Sequence, residues 1–138
     1  MSNFVLDASI ALAWCFSDES TQKTLALLES LAVSTAFAPE IWPLEVGNIL
    51  VQAQRQKRIT YAKITEYLSL LNNLNIKIDR ETTPRALHEI LSLAYTEKLS
   101  TYDATYLELA MRLGLPLATK DAQLGKTAAR LGVEVYTL

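Results

Sequence analysis

Short apolar runs alternate with helical patterns along the whole chain. Asn3 to Leu6, Thr35 to Ala38, Asn75 to Ile78, Leu115 to Thr119 and Val133 to Tyr136 each read as a short strand. Between them the apolar positions recur at helical spacing. Ala8 to Phe16 is a helical run, and Gln22 to Leu31 places Leu25, Leu28 and Leu31 on one face. Pro39 to Arg55 carries Trp42, Val46, Ile49, Leu50 and Ala53. Tyr61 to Leu71, with Ile64, Leu68 and Leu71 on one side, completes a helical hairpin across the basic turn Arg55-Gln56-Lys57-Arg58. Thr83-Pro84 reads as an N-cap with proline at N1, opening a helix to about Glu97. Leu87, Ile90, Leu91 and Ala94 would be its buried stripe, while His88 falls among polar positions. Tyr102 to Leu113 ends at Gly114, and Pro116 forbids continuation. The closing helix after Asp121 carries Leu124, Ala128 and Leu131 and stops at Gly132. Strands that alternate with crossing helices predict an α/β fold: one domain over residues 1–138, a parallel sheet with helices on both faces, and the helical hairpin.

This pattern returns two aspartates to one place. From Asp103 to Leu113 the helix travels roughly 15 Å at 1.5 Å per residue. The strand from Leu115 to Lys120 covers roughly 16 Å in the opposite direction, so Asp103 and Asp121 finish level. On the helical wheel Thr105, Glu108 and Arg112 make one polar stripe, expected to be the solvent face. Asp103 lies about 160 to 220° away from it, beside Tyr106, Leu107 and Ala110. Such a carboxylate points inward. Ser100 can also make Asp103 the acid of a capping box, and Asp121 can cap the last helix. Asp7 sits on the seam between the first strand and its helix, where capping is again the ordinary role. Glu45 borders the apolar face of its helix and joins Asn48 and Gln52 in a polar strip, the place of a solvated glutamate.

In ligand-binding parallel sheets the site lies beyond the carboxyl ends of the strands. Asp7 and Asp121 follow strands, and Asp103 opens a helix on the same rim. Two carboxylates about 4 Å apart repel by about 4 kcal/mol at an effective dielectric of 20, so such a cluster requires protonation or a cation. Oxygen ligands without histidine or thiolate favour Mg²⁺ or Mn²⁺ over zinc. Gly125-Lys126-Thr127 resembles the end of a P-loop, but Lys120 stands where its first glycine belongs. No dinucleotide fingerprint follows a strand, and Asp7-Ala8-Ser9 lacks the second acid of the Asp-x-Asp of haloacid dehalogenase phosphatases.

A net charge of −2 over 138 residues argues against a surface that grips nucleic acid everywhere, leaving a local patch such as the basic turn. The single Cys15 lies in an apolar run and can form no internal disulfide, which suits a reducing compartment. With neither a secretory leader pattern nor a membrane span, the expected location is the cytoplasm.

Val5-Leu6-Asp7-Ala8-Ser9, Pro43-Leu44-Glu45-Val46 with Asn48, Tyr102-Asp103-Ala104 running into Tyr106-Leu107, and Leu117-Ala118-Thr119-Lys120-Asp121 occur in that order across nearly the whole chain. Together they resemble a PIN-domain ribonuclease of the VapC toxin type. The resemblance implies a PIN-like sheet with a helical hairpin, Mg²⁺ or Mn²⁺ bound by four acids, hydrolysis of RNA, a homodimer, and neutralisation by a cognate antitoxin protein. Carried over by position, Asp7 and Asp103 would be the principal metal ligands and Glu45 a third. Asp121 would be an outer or second-metal ligand. Ser9, Asn48 and Thr119 would orient water or the carboxylates. The competing readings are a metal-dependent phosphatase and a non-catalytic PIN-like binding module.

Overall fold

The computed structural model describes residues 2–138, and its centre is a parallel sheet. Its strands are β1 (Phe4–Leu6), β2 (Ala36–Pro39), β3 (Ile76–Asp79), β4 (Leu117–Thr119) and β5 (Val135–Thr137), in the order β3-β2-β1-β4-β5. All neighbouring pairs are parallel, with Val5 opposite both Phe37 and Leu117. Phe4, Val5 and Leu6 are fully buried, the expected state of a strand covered on both faces.

The helices are α1 (Ser9–Cys15), α2 (Gln22–Ser30), α3 (Trp42–Arg55), α4 (Tyr61–Asn72), α5 (Thr82–Arg85), α6 (Leu91–Glu97), α7 (Thr101–Leu113) and α8 (Ala122–Arg130). A π turn over Ala86–Ile90 joins α5 to α6. Among the described residues no helix is long and apolar enough to cross a membrane. Helix α7 is the buried one: every residue from Ala104 to Ala110 is inside. Gly114, with φ of +66°, ends it by letting Leu115 N–H reach back to the Ala110 carbonyl at 3.1 Å. The same stop closes α3, where Arg58 N–H bonds the Ala53 carbonyl at 2.8 Å, but there the left-handed position is Lys57 with φ of +62°.

Several local expectations change. The stripe Thr105, Glu108 and Arg112 is not a solvent face. Thr105 and Glu108 are buried, and Arg112 grips Asp79 through two bonds of 3.1 and 2.8 Å while its Nε donates to Glu108 at 2.8 Å. A charged stripe can be buried because its partner sits on β3, distant in sequence. The stripe Leu87, Ile90, Leu91, Ala94 also splits: Ile90 and Ala94 are buried, whereas Leu87 and Leu91 are exposed. The π turn inserts an extra residue and rotates the helical phase. Helix α2 packs through Thr24, Leu27 and the following Leu31 rather than Leu25, because Trp14 Nε1 bonds the Thr24 carbonyl and fixes its rotation. Likewise α4 buries Ile64 and Tyr67 and exposes Leu68, since the Tyr67 hydroxyl bonds the Ala11 carbonyl at 2.9 Å. Pro39 belongs to β2, so Pro43 opens α3, and α5 starts at Thr82 rather than after Thr83 because the Asp79 carboxylate receives Glu81 N–H and turns the chain early.

Candidate functional site

The strand order reverses at β1, with β2 and β3 on one side and β4 and β5 on the other. The chain therefore leaves β1 and β4 side by side but along different routes, which opens a crevice at their carboxyl ends. Asp7 and Thr119 stand there. Asp7 N–H completes the β1/β4 ladder on the Ala118 carbonyl at 3.1 Å. Its carboxylate does not cap α1; the N-cap is Ala8, without a side-chain bond. Instead Oδ2 receives the hydroxyls of Thr119 at 2.6 Å and Ser9 at 2.9 Å. Both donors go to one oxygen, leaving Oδ1 without a side-chain bond.

Ser9 and Thr119 also hold the next turn. Ser9 Oγ accepts Lys120 N–H at 2.9 Å, and Thr119 Oγ1 accepts Asp121 N–H at 3.0 Å. Asp121 is an N-cap as well as a rim acid: its Oδ1 accepts Leu124 N–H at 3.0 Å and starts α8. On the facing helix, Ser100 Oγ accepts Asp103 N–H at 3.0 Å. Only that half of a capping box forms, so the Asp103 carboxylate faces the other acids. Glu45, in the first turn of α3, is half-buried and accepts a short bond from the Tyr106 hydroxyl. Asn48 stands about one turn further along α3, exposed, and makes no side-chain hydrogen bond to the other candidates.

Three of these acids are held above the usual carboxylate range. Burial raises Asp7, and the Asp121 charge adds to it, while the Thr119 and Ser9 hydroxyls oppose. Burial raises Glu45 against the Tyr106 bond, with Asp7 and Asp103 adding repulsion. Asp103 is raised by burial, then by Asp121 and Asp7. Asp7, Glu45, Asp103 and Asp121 thus share one electrostatic neighbourhood. By contrast Asp79 is lowered by its bonds to Arg112. Lys120, beside Asp121, turns its ammonium to the Glu19 carbonyl at 3.1 Å instead of to the acids.

Each of the four acids keeps at least one oxygen free of side-chain and capping bonds, and the donors are all hard oxygens, a set that suits a hard divalent cation. Among the described residues no three of them already converge on a single ion position; the set is an open acidic cleft, not a closed cage.

Tyr106 is the residue that the sequence reading did not assign to the site. Its signal was available: a tyrosine three positions after Asp103 on the inward face must find an acceptor for its hydroxyl when buried.

The PIN domain family model matches residues 4–130. The chain belongs to the PIN domain family. PIN domains are generally nucleases and generally use divalent metal ions. The chain is similar to PAE2754 from Pyrobaculum aerophilum at 25% identity and a TM-score of 0.69, covering 98% of this chain and 92% of that one. It is similar to VapBC2 from Rickettsia felis, bound to a DNA fragment from their promoter, at 13% identity and a TM-score of 0.65 over 99% and 98% of the two chains. For FitAcB from Neisseria gonorrhoeae the values are 18%, 0.60, 99% and 97%. These last two likenesses concern the fold alone. No curated protein matches the sequence.

Proposed function

We propose that this PIN domain is an Mg²⁺- or Mn²⁺-dependent endoribonuclease, the toxin of a toxin-antitoxin pair, acting in the cytoplasm as a single-domain homodimer. The observation that carries the reading is the acid set without a cation of its own: burial raises Asp7, Glu45 and Asp103, and repulsion among them and Asp121 adds to it. Such a cleft is complete only with a cation, and the family is one of nucleases.

When bound, a divalent cation supplies a lowered pKa for the attacking water and neutralises charge on the scissile phosphate. The chain's own residues supply orientation. Thr119 and Ser9 fix the Asp7 carboxylate through Oδ2, so that Oδ1, which takes no side-chain bond, is left to serve as a ligand. Tyr106 holds Glu45 through Oε1, and its hydroxyl opposes the rise that burial imposes on that carboxyl. Asp103 stands on the inward side of α7 as the second principal ligand. Asp121 is held by Leu124 N–H and serves as an outer ligand. Asn48, exposed about one turn along α3 from Glu45, orients water or the carboxylates.

The paired composition of VapBC2 supports a protein partner for this chain as well. A cognate antitoxin would place Arg or Lys among the acids, where its charge substitutes for the cation.

The test is cleavage of total cellular RNA by the wild-type chain and by Asp7→Asn and Asp103→Asn, in Mg²⁺ and in EDTA. Wild type in Mg²⁺ is expected to generate new RNA ends that neither variant produces, while both variants keep a cooperative unfolding transition. Undiminished cleavage by either variant removes that acid from the site, and phosphate release from small esters with no RNA cleavage turns the reading to a phosphatase.

A further inference from the structure

The twenty positions between Glu45 and Glu66 hold Arg55, Lys57, Arg58 and Lys63 and no acid, in a chain whose net charge is −2. The rest of the protein therefore carries −6, and the α3–α4 hairpin end is a basic stretch whose Lys57, Arg58 and Lys63 face one acid, Asp18, among the residues that line the groove there. This groove of about 350 Å³ runs between Cys15–Asp18 on one wall and Lys57–Thr60 with Lys63 on the other.

The groove is braced from below and joined to the acid cleft. The Arg58 guanidinium lies 4.2 Å over the Phe16 ring and reaches Asp18 at 3.4 Å and Glu19 at 3.3 Å. Glu19 in turn gives its carbonyl to Lys120 Nζ at 3.1 Å, and Lys120 N–H is bonded to Ser9, which holds Asp7. Arg58 is thus a structural cation, whereas among the described residues Lys57 has no side-chain partner and Lys63 meets only Glu66, in an exposed pair of 3.1 Å. Such exposed pairs exchange easily.

Lys57 occupies a left-handed position that glycine fills without strain, as Gly114 does at the same kind of stop. A lysine kept there gives up backbone stability, and its ammonium is the gain. Next in sequence to Thr60 of the groove wall, though not itself lining the groove, Tyr61 on the first turn of α4 is 77% exposed. Free cations interleaved with an open aromatic ring are the elements of a single-strand track, the cations meeting phosphates and the ring a base.

We infer that the groove between Phe16–Asp18 and Lys57–Lys63 is a sequence-tolerant track for the backbone of single-stranded RNA, with Lys57 and Lys63 on phosphates and Tyr61 stacking a base. The inference rests on the ribonuclease reading for what the track delivers RNA to. Arg58 and Glu19 set the distance between track and acids.

Binding separates this from catalysis. Fluorescein-labelled twelve-nucleotide oligouridylate and oligoadenylate are titrated into the full chain carrying Asp7→Asn, in EDTA, from low to moderate salt, and anisotropy is read. Lys57→Gly is expected to weaken both oligomers alike and to reduce the slope of log affinity against log salt by about 0.7, the share of one single-strand phosphate contact. Because glycine suits that backbone, its melting temperature is expected at or above that of the parent. Tyr61→Ala is expected to weaken binding roughly 5-fold or more with the salt slope unchanged, since stacking releases no counterion. Unaltered affinity and slope in Lys57→Gly and Tyr61→Ala overturn the track, even if the RNA cleavage assay succeeds. Polyglutamate that competes as strongly as RNA also overturns it and makes the groove a dock for an acidic protein segment. Failure of RNA cleavage with the expected slopes intact leaves the track standing and removes only the nuclease reading.

Discussion

Replacing Asp103 by Asn separates a site acid from a helix cap, because the two roles predict opposite signs of stability. Asn preserves the shape, and the Ser100 bond to the backbone N–H of residue 103 survives. If Asp103 served only the α7 terminus, losing its charge would destabilise the domain by about 0.3–1 kcal/mol. In the structure it also faces the charges of Asp121 and Asp7. Each partly screened contact of this kind is worth some tenths to about 1 kcal/mol. Relief of two contacts is on the order of 1 kcal/mol and offsets or exceeds the lost helix term. The variant is therefore expected to match wild type or exceed it by up to about 1 kcal/mol in EDTA at pH 7.5, or up to about 4 °C in melting temperature for a domain of this size. With Mg²⁺ at ten times its dissociation constant the wild type gains about 1.4 kcal/mol, and the variant less. The pH arm carries its own sign. Asp7, Glu45 and Asp103 have folded pKa values above their unfolded ones, so the native state binds more protons and, without cation, stability rises as pH falls through their folded pKa values toward the ordinary carboxylate range. Below the ordinary aspartate range the trend reverses, because Asp79, lowered by Arg112, must then be protonated. Differential scanning calorimetry across pH, in EDTA and in Mg²⁺, reads all of this. A variant less stable than wild type in EDTA, with neither protein responding to Mg²⁺, refutes the site role and returns Asp103 to capping.

Tyr106→Phe removes the hydroxyl that lowers Glu45, so the acidic limb of the RNA cleavage profile is expected to move to higher pH with the fold intact; an unmoved profile places Glu45 outside the reaction. Arg112→Ala strips Asp79 of its two-pronged partner and leaves Glu108 only Arg85 at 3.9 Å, and is expected to cost about 2–3 kcal/mol, read as a lower urea midpoint. Arg112→Lys is expected to recover only part of it, since an ammonium cannot make the two-pronged contact. Thr119→Val takes the 2.6 Å donor from Asp7 and is expected to lower stability by about 1–2 kcal/mol at pH 7 in EDTA and to steepen its rise toward pH 5.

All five strands were readable, four as short apolar runs closed by a turn and β3 by its polar–apolar alternation, and the parallel arrangement followed from the helices between them. The level placement of Asp103 and Asp121 came from rise per residue alone. What was not readable depends on partners remote in sequence. Nothing near Arg112 reveals that Asp79 arrives from β3, so a salt-bridged buried stripe looks the same as a solvated one. The π turn at Ala86–Ile90 has no marker in the apolar pattern, and it moved Leu87 and Leu91 to the surface. Glu45 looked like a boundary glutamate because its partner Tyr106 lies on another helix.

Helix α7 handles its charges in two opposite ways, and the contrast explains how the cleft survives without a cation. At one end Asp103 is among like charges. At the other, Glu108 and Arg112 bind each other and tie α7 to β3 through Asp79, with Arg85 of α5 beside Glu108 at 3.9 Å. Asp103 and Arg112 lie nine residues, roughly 13 Å, apart along the axis at 1.5 Å per residue, and the Arg112 charge is already taken by Asp79 and Glu108, so it does not neutralise Asp103. Their connection is mechanical: the helix between them is buried from Ala104 to Ala110 and cannot shift without breaking core packing. The compensated end thus fixes the rotation and height of the uncompensated one, holding Asp103 at the cleft against a repulsion that would otherwise push it toward solvent. It follows that loss of Arg112 should weaken Mg²⁺ stabilisation as well as the fold, although Arg112 touches none of the four acids. If Arg112→Ala keeps the full wild-type gain from Mg²⁺ while losing its urea stability, the two ends of α7 are independent and this account of the helix is wrong.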